Sequence, residues 1–289
     1  MLELLRYFGL PSVAASTQGP GIDNVISLTH WLMLILFVGW GAFFIYTLIR
    51  FRASKNPVAD HGGVRSHFSS YLEVAVAVIE VVLLIGFAFP IWASRVNDVP
   101  KGPDAVQIRV VAQQFTWNIH YPGPDGVFGK TLVDLVDEAE NPIGLDRKDE
   151  FAKDDVFTIN QLHIPVNTPI NISLSSKDVI HSFGMPELRV KQDAVPGMEI
   201  PVWFEATMTT EEFLKTTVGS AREGKGFEIA CAQLCGLGHY RMKGFLTIHD
   251  DEGYAAWHEE QQEYLAEEGD DDDWGDDEDW KSKVSLLII

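Results

Sequence analysis

Hydrophobic residues are concentrated in two long runs that both lie before residue 95. The first, residues 25–49, contains 25 residues without an Asp, Glu, Lys or Arg. The second, residues 71–94, is interrupted only by two glutamates. About 20 apolar residues in a helix span the hydrocarbon core of a bilayer. The pattern therefore predicts a transmembrane helix hairpin over residues 24–98, with helices at about 25–50 and 71–95.

After Pro100 the pattern changes to short runs of β-branched and aromatic residues separated by Gly, Pro, Asn and Asp. Several such runs at short spacing indicate the strands of a sandwich or barrel. The runs with this character are residues 106–111, 115–119, 157–159, 170–174, 202–204 and 245–248. We expect antiparallel strands that form an all-β domain over residues 104–250, with the charged stretch 132–155 as a surface insertion.

The first 23 residues form a separate segment. A leucine-rich opening is broken by Arg6, Gly9 and Pro11, and this apolar core is short for a signal peptide. The small residues at 13–16 would suit a cleavage site, so removal of the segment stays open. We expect residues 1–23 to remain and to lie at the membrane interface.

Positive charge in the connecting loop predicts the orientation of the hairpin. The loop carries four basic residues, Arg50, Arg52, Lys55 and Arg65, against a single acid, Asp60. Loops rich in Lys and Arg stay in the cytoplasm. Both termini and the β-domain are therefore expected on the periplasmic or outer side of a bacterial plasma membrane.

Negative charge is concentrated at the other end of the chain. The net charge is −20, and the 31 residues from Asp250 to Trp280 contain 16 acids and no Lys or Arg. Such a charge argues against nucleic acid as a partner. We expect a helix at about 252–268 followed by an acidic, disordered stretch within the segment 251–289. This tail either attracts a basic partner protein through its charge or is a solvated segment without a specific role.

Candidate chemistry is packed into one short loop. It places Cys231, Cys235, His239 and Met242 within twelve residues, and no other cysteine occurs in the chain. Two cysteines alone exclude a disulfide framework, and the spacing is not that of a haem-attachment motif. Thiolate and thioether sulfur favour copper over hard cations, and a Cys-His-Met loop between strands is typical of blue-copper sites.

The second cysteine distinguishes this loop from a blue-copper site. Two thiolates in one loop can bridge two copper ions, each completed by one histidine. His181, predicted at the end of a strand, suits the second position. A disulfide between the cysteines or a Cys2His2 zinc site would use some of these residues, but neither would give Met242 a role.

At this point the sequence resembles a known family. Two membrane helices, a β-sandwich and the double-cysteine loop are similar to subunit II of the haem–copper cytochrome c oxidases. The resemblance covers most of residues 25–250 and is most detailed at 165–170, at 176–183 around His181, and at 191–197. It implies a cupredoxin-like fold with two copper ions in the dinuclear centre called CuA.

The resemblance also implies roles for individual residues. Cys231 and Cys235 would bridge the copper ions, His181 and His239 would each bind one, and Met242 and the backbone carbonyl of Gln233 would be weak outer ligands. In the family a glutamate at the position of Gln233 helps to bind magnesium at the boundary with subunit I. A neutral amide binds magnesium less well than a carboxylate, so we expect that ion to be weakly held or absent here.

Electron and proton transfer depend on other positions. Phe115 stands where the family has the surface tryptophan that takes up electrons, so the candidates for electron uptake are Phe115, Trp117 and Tyr121. Glu73 matches a family glutamate near the mouth of a proton channel shared with subunit I.

Taken over the whole chain, the resemblance implies the electron-accepting subunit of a proton-pumping oxidase. The chain would receive single electrons from cytochrome c or a similar donor and pass them to haem in subunit I, where oxygen is reduced. It would have no oxidase activity alone, and its partners would be subunit I, other oxidase subunits, the donor and membrane lipid. A quinol oxidase subunit II would lack the copper ligands, and a nitrous oxide reductase would have a further catalytic domain. A copper-delivery protein would show exposed Met or His clusters.

Overall fold

The computed structural model of the chain describes residues 1, 2, 4, 13–58, 61–63, 66–100, 105–220 and 222–270. Within residues 13–100, the described part of the chain contains two helical rods that precede the β-domain. The first is α1, Gly19–Arg50. The second consists of α2, Phe68–Leu83, a π-helical turn at Leu84–Ala88, and α3, Phe89–Asn97. Both rods are long and apolar enough to cross a membrane, which agrees with the predicted hairpin.

The first helix begins earlier than the sequence indicated. It starts at Gly19, six residues before the first uncharged run, with a proline in its first turn. Proline is well placed there because the first N–H groups of a helix have no intrahelical partner. Within the described part of the N-terminal segment, residues 13–18 lie against the β-domain, where Ala15 and Ser16 are buried. These residues are hydrogen-bonded to the domain, and their position at the membrane interface stays a prediction.

The β-domain consists of two five-stranded sheets. The strands are β1 (Val106–Gln113), β2 (Thr116–Tyr121), β3 (Val156–Ile159), β4 (Gln161–Pro165), β5 (Pro169–Ser176), β6 (His181–Met185), β7 (Val190–Ala194), β8 (Ile200–Glu205), β9 (Phe227–Cys231) and β10 (Lys243–His249). One sheet has the order β3-β2-β1-β5-β8, and the other has the order β4-β10-β9-β6-β7. This is the predicted β-sandwich.

The strand pairing corrects two details of the prediction. The pairs β1–β5 and β4–β10 are parallel, whereas all strands were expected to be antiparallel. His181 begins β6 instead of ending a strand. Both differences arise from sheet order, which joins strands far apart in the chain and leaves no local pattern in the sequence.

The core lies between the two sheets. In β5 every second residue is buried, as expected for a strand with one face towards a core. Large side chains from both sheets are fully buried, including Trp117, Phe183, Phe204 and Phe227. This packing fixes the inner face of β6 and β9, the two strands that lead into the cysteine loop.

Two short helices and one insertion complete the domain. Helix α4, Thr210–Thr216, starts with a capping box formed by Thr209 and Glu212. Residues 132–155 are irregular apart from two short 3-10 turns. Helix α5, Asp251–Asp270, follows β10, and its Trp257 stacks on His163 at a centroid distance of 4.6 Å. The acidic stretch that follows lies outside the described residues.

Candidate metal centre

The cysteine loop joins two neighbouring antiparallel strands, and a third strand brings a distant histidine to it. Strand β9 ends at Cys231 and β10 begins at Lys243, so the loop lies at one end of this sheet. Strand β6 pairs with β9, with Phe183 opposite Cys231. His181 stands two residues before Phe183, at the start of β6. The pairing therefore places its ring beside Cys231, fifty residues away in sequence.

Four of the candidate ligands form a compact cluster. His181 Nδ1 lies 3.9 Å from Cys231 Sγ, and the two cysteine sulfurs are 3.8 Å apart. Cys235 Sγ lies 3.6 Å from His239 Nδ1. Each sulfur therefore has an imidazole nitrogen beside it, and a ring nitrogen of His181 lies within 4.8 Å of both sulfurs. His181, Cys231 and Cys235 also form a group of close potential metal ligands.

Two weaker donors lie beside this cluster. The backbone oxygen of Gln233 lies 3.1 Å from Cys231 Sγ. Met242 Sδ lies 3.8 Å from Cys235 Sγ and 3.1 Å from His181 Nδ1. All six ligands expected from the sequence resemblance are therefore gathered around the sulfur pair.

The sulfur spacing suits a bridging metal. A disulfide bond is about 2.05 Å long, so sulfurs 3.8 Å apart are not bonded to each other. Two thiolates at this spacing would both be within reach of one metal ion, because a metal–sulfur bond is about 2.3 Å long. Soft sulfur and imidazole donors in this arrangement fit copper better than a hard cation.

Burial favours the protonated form of the Cys235 thiol. Burial, together with the neighbouring Cys231, raises the pKa of the Cys235 thiol to about 11. Without a cation this thiol is therefore protonated at neutral pH. Metal binding must release that proton, because the thiolate is the metal ligand.

Asp178 orients the buried histidine of the site. The ring N–H at His181 Nε2 donates to Asp178 Oδ1 at 2.8 Å, which turns Nδ1 towards the sulfurs. Burial alone would raise the pKa of Asp178, but hydrogen bonds from His181 and from the backbone N–H groups of Gln114 and Val179 outweigh it and lower this pKa. Asp178 therefore stays ionised and holds the ring, as a carboxylate does for many metal-bound histidines.

An aromatic side chain covers the outer side of the loop. A Cβ atom placed on Gly238 would lie 2.4 Å from the ring of Phe115, so the ring rests directly on this glycine. The side-chain amide of the adjacent Gln114 donates to the carbonyl of Cys235 at 2.6 Å. Trp117 lies behind the site, fully buried, with its ring 6.2 Å from that of His181.

Comparison with known proteins identifies the same family that the cysteine loop resembles. A family model described as "Cytochrome C oxidase subunit II, periplasmic domain" matches residues 106–246. The "Alternative cytochrome c oxidase subunit 2" of Bradyrhizobium diazoefficiens is 31% identical over 249 residues, which cover 86% of this chain and 83% of the relative. The chain belongs to the cytochrome c oxidase subunit II family.

Further relatives and solved structures have the same description. The cytochrome c oxidase subunit 2 of Cereibacter sphaeroides is 27% identical over 280 residues, covering 89% of this chain and 84% of the relative. A crystal structure of the periplasmic domain of subunit II of cytochrome oxidase (CoxB) of Bradyrhizobium japonicum matches with 27% identity and a TM-score of 0.38. That match covers 58% of this chain and 99% of the solved one.

Membership in the family fixes the coarse function. This subunit II has a copper-binding cupredoxin domain anchored by two membrane helices. It is a component of a respiratory haem–copper oxidase and works in a complex with other subunits of that oxidase.

The three aromatic residues predicted as candidates for electron uptake lie in different places. Phe115 is partly exposed and contacts the cysteine loop, whereas Trp117 and Tyr121 are buried. The hydroxyl of Tyr121 accepts a hydrogen bond from the backbone N–H of His163, and its ring packs against Trp257. Glu73 is exposed on α2, in the membrane part of the chain.

Sequence reasoning missed Asp178 and Gln114 as parts of the site. Asp178 precedes His181 by three residues, a spacing that could have indicated a carboxylate near the ring. Gln114 shows no comparable signal, because its side chain meets the carbonyl of Cys235, 121 residues later. Only the packing of β1 and β2 against the loop brings these groups together.

Proposed function

We propose that subunit II accepts single electrons from cytochrome c or a similar donor at a dinuclear copper centre and passes them to haem in subunit I. The cluster formed by His181, Cys231, Cys235 and His239 carries this proposal, since two sulfurs with two imidazoles beside them would give each of two metal ions both sulfurs and one histidine. The backbone oxygen of Gln233 and the sulfur of Met242 lie close to the same cluster, which supports the proposal. Oxygen reduction and proton pumping would take place in the partner subunit.

Cys231 and Cys235, with His181 and His239, would hold the two copper ions, which would supply one-electron redox chemistry at a low reorganisation cost. The protein contributes orientation and a dry environment. Asp178 holds the ring of His181, and the inner sulfur donors Cys235 and Met242 are buried. A metal site shielded in this way has its potential set by its ligands and their hydrogen bonds.

Electrons enter, in this proposal, through Phe115. Its ring is partly exposed and rests on Gly238 in the cysteine loop, so it connects the surface to the ligands. Exposed apolar side chains surround the same region, with Leu237 97% and Leu234 78% exposed. An apolar patch around a buried site is typical of a surface that a protein partner covers.

Copper loading of the full chain in detergent tests the proposal. We expect two copper ions per chain and a mixed-valence EPR signal from one electron shared over two copper nuclei. A Met242→Leu variant should keep both ions but change the reduction potential, because an axial thioether is a tuning ligand. One copper per chain with a blue-site spectrum would disprove the dinuclear assignment.

The orientation in the membrane gives a separate prediction. A Ser54→Cys variant in which serines replace the native cysteines should resist a membrane-impermeant thiol reagent in intact cells, because the basic loop is cytoplasmic. Ser220→Cys, exposed on the β-domain, is the matched control and should be labelled. Labelling of the cysteine at 54 in intact cells would reverse the proposed topology.

Gln233 predicts weak binding of magnesium at the subunit boundary. Its side chain is exposed and only its backbone oxygen lies near the sulfurs, so Gln233→Glu should tighten Mn²⁺ binding in the assembled oxidase and leave the copper spectrum unchanged. Gln107→Glu, a solvent-exposed change on β1, should alter neither. A native complex with its metal bound directly to the Gln233 side chain would contradict this prediction.

Glu73 is proposed to admit protons to the partner subunit. It lies within two turns of the start of α2, the end that the basic loop places towards the cytoplasm. An ionisable group inside a membrane helix marks a proton or ion pathway more often than a structural contact. Glu73→Gln should slow steady-state turnover of the oxidase while reduction of the copper centre by the donor keeps its rate. Equal turnover in the two proteins would show that Glu73 takes no part.

A further inference from the structure

The membrane helices are joined to the β-domain through the residues just before α1. The backbone N–H of Ala15 donates to Glu187 O at 2.8 Å, and that of Thr17 donates to Glu205 O at 3.1 Å. In return, the N–H of Thr207 donates to Ala15 O at 3.0 Å. The segment therefore lies between the turn after β6 and the end of β8, and it leads directly into the first helix.

A buried ion pair continues this connection into the helix itself. Arg189 Nε donates to Asp23 Oδ1 at 2.6 Å, and Arg189 Nη2 donates to Asp23 Oδ2 at 3.0 Å. Both side chains are only 5% exposed. Two parallel N–H···O bonds of this kind fix direction as well as distance, because the guanidinium and the carboxylate are both planar. Asp23 lies in the second turn of α1, so the pair links the helix directly to the domain.

The backbone of Arg189 indicates that its side chain is needed at this position. Arg189 has φ of 55°, in the left-handed region that favours glycine. The same guanidinium also donates from Nη1 to the carbonyls of Val13 at 3.1 Å and Pro186 at 2.7 Å. It therefore holds the segment before α1, the helix and the β6–β7 turn together, which a glycine could not do.

A second contact connects the other membrane helix. The guanidinium of Arg95, in the last turn of α3, lies 3.7 Å above the ring of Trp203 in β8. The indole N–H of Trp203 donates to the carbonyl of Arg95 at 3.0 Å. Both membrane helices therefore contact the domain, and Arg189 lies in the β6–β7 hairpin, whose first residue is His181.

We propose that Asp23 and Arg189 are positioning residues that hold the copper domain at a fixed height and tilt over the membrane helices. The pair thereby sets the distance over which electrons pass to haem in the partner subunit. This inference rests on the function proposed above. Because the pair lies at the far end of β6 from the ligand, it acts on the position of the whole domain and not on the ligands.

The test uses Asp23→Asn and Arg189→Gly in the full chain and in the assembled oxidase. Asp23→Asn removes the charge at nearly constant size. Arg189→Gly removes the guanidinium while leaving the left-handed backbone unstrained, so a loss cannot come from that conformation. Lys215→Gln is the control, because it removes a cation that pairs with Glu211 on α4 of the domain and leaves the residues of the helix connection unchanged.

Two measurements separate positioning from general damage. The first is the distance distribution between the copper spin and a nitroxide at Thr29→Cys, an exposed site on α1, in the copper-loaded full chain. It should be broad in both variants and narrow in the wild type and in Lys215→Gln. The second is the rate of electron transfer from copper to haem in the oxidase, which should fall about tenfold, since small displacements change transfer steeply. The bimolecular rate with the donor and the copper spectrum should stay unchanged.

The double variant Asp23→Arg with Arg189→Asp should narrow the distance distribution again and restore part of the rate. Narrow distributions in both single variants would overturn the proposal, even if an assembled oxidase could not be obtained. Wild-type rates from copper to haem in both variants would overturn it as well. If the wild-type oxidase transferred no electrons from copper to haem, the proposed function itself would fail, and the distance measurement would still decide whether the pair fixes the domain.

Discussion

Cys231→Ser or Cys235→Ser is expected to abolish the mixed-valence copper signal and to reduce electron transfer through subunit II at least a hundredfold. The two sulfurs lie 3.8 Å apart, with imidazole nitrogens 3.9 and 3.6 Å from them, so both sulfurs would be shared by two metal ions. A serine hydroxyl is a hard oxygen donor that ionises far less readily than a thiol and does not replace a bridging thiolate. Copper content, EPR and donor-driven reduction of the assembled oxidase are the measurements.

Ala232→Ser is the matched control for this prediction. It introduces the same hydroxyl next to Cys231, on an exposed residue that is not among the ligands. Its copper content, spectrum and rate should equal those of the wild type. A cysteine variant that kept two copper ions and a mixed-valence spectrum would show that the cysteines do not bridge, and the site would need another ligand arrangement.

Phe115→Ala is expected to slow the bimolecular reaction with the electron donor about tenfold, on the scale at which misplaced redox groups lose rate. The ring is the partly exposed aromatic group that rests on Gly238 of the cysteine loop, so its removal leaves a gap between the donor surface and the ligands. Trp117 cannot replace it at the surface because it is fully buried. Rapid-mixing reduction of the copper centre by the donor measures the effect.

Two further variants serve as controls for Phe115→Ala. Phe245→Ala removes an exposed phenylalanine of β10 and should leave the donor reaction unchanged. Phe115→Trp keeps an aromatic ring at the position and should retain most of the rate. The copper spectrum should be the same in all three variants. If Phe115→Ala reacted at the wild-type rate, electrons would enter elsewhere, and if Phe115→Trp were as slow as Phe115→Ala, packing and not aromatic character would explain the loss.

Much of this protein could be predicted from the sequence because the deciding signals are local. An uncharged stretch of 25 residues is a property of one helix, and it predicts a membrane span whatever the helix packs against. Alternating β-branched and aromatic residues likewise mark strands one at a time. The spacing of Cys231, Cys235, His239 and Met242 is also local, since one loop holds all four side chains.

Local signals were weaker where a segment takes its structure from a distant one. Strands β4, β6, β7 and β9 were not predicted, since their short sequences are fixed by the strands beside them. The helix start at Gly19 was also missed, because it depends on contacts that the preceding residues make with the β-domain. Residues 13–18 are bonded to the far end of the β-domain, and no pattern within the segment shows this.

The tertiary structure alone decided which distant residues meet. His181 reaches the cysteine loop because β6 pairs with β9, and it brings Asp178 with it, whereas Gln114 joins the site because the β1–β2 turn packs against the loop. It also separated Phe115, at the surface, from Trp117 in the core, although the two lie on the same short stretch of chain. The pairing of Asp23 with Arg189, 166 residues apart, has the same origin. A sequence specifies what each segment can form, whereas contacts between segments depend on sheet order and on the burial that the assembled core requires.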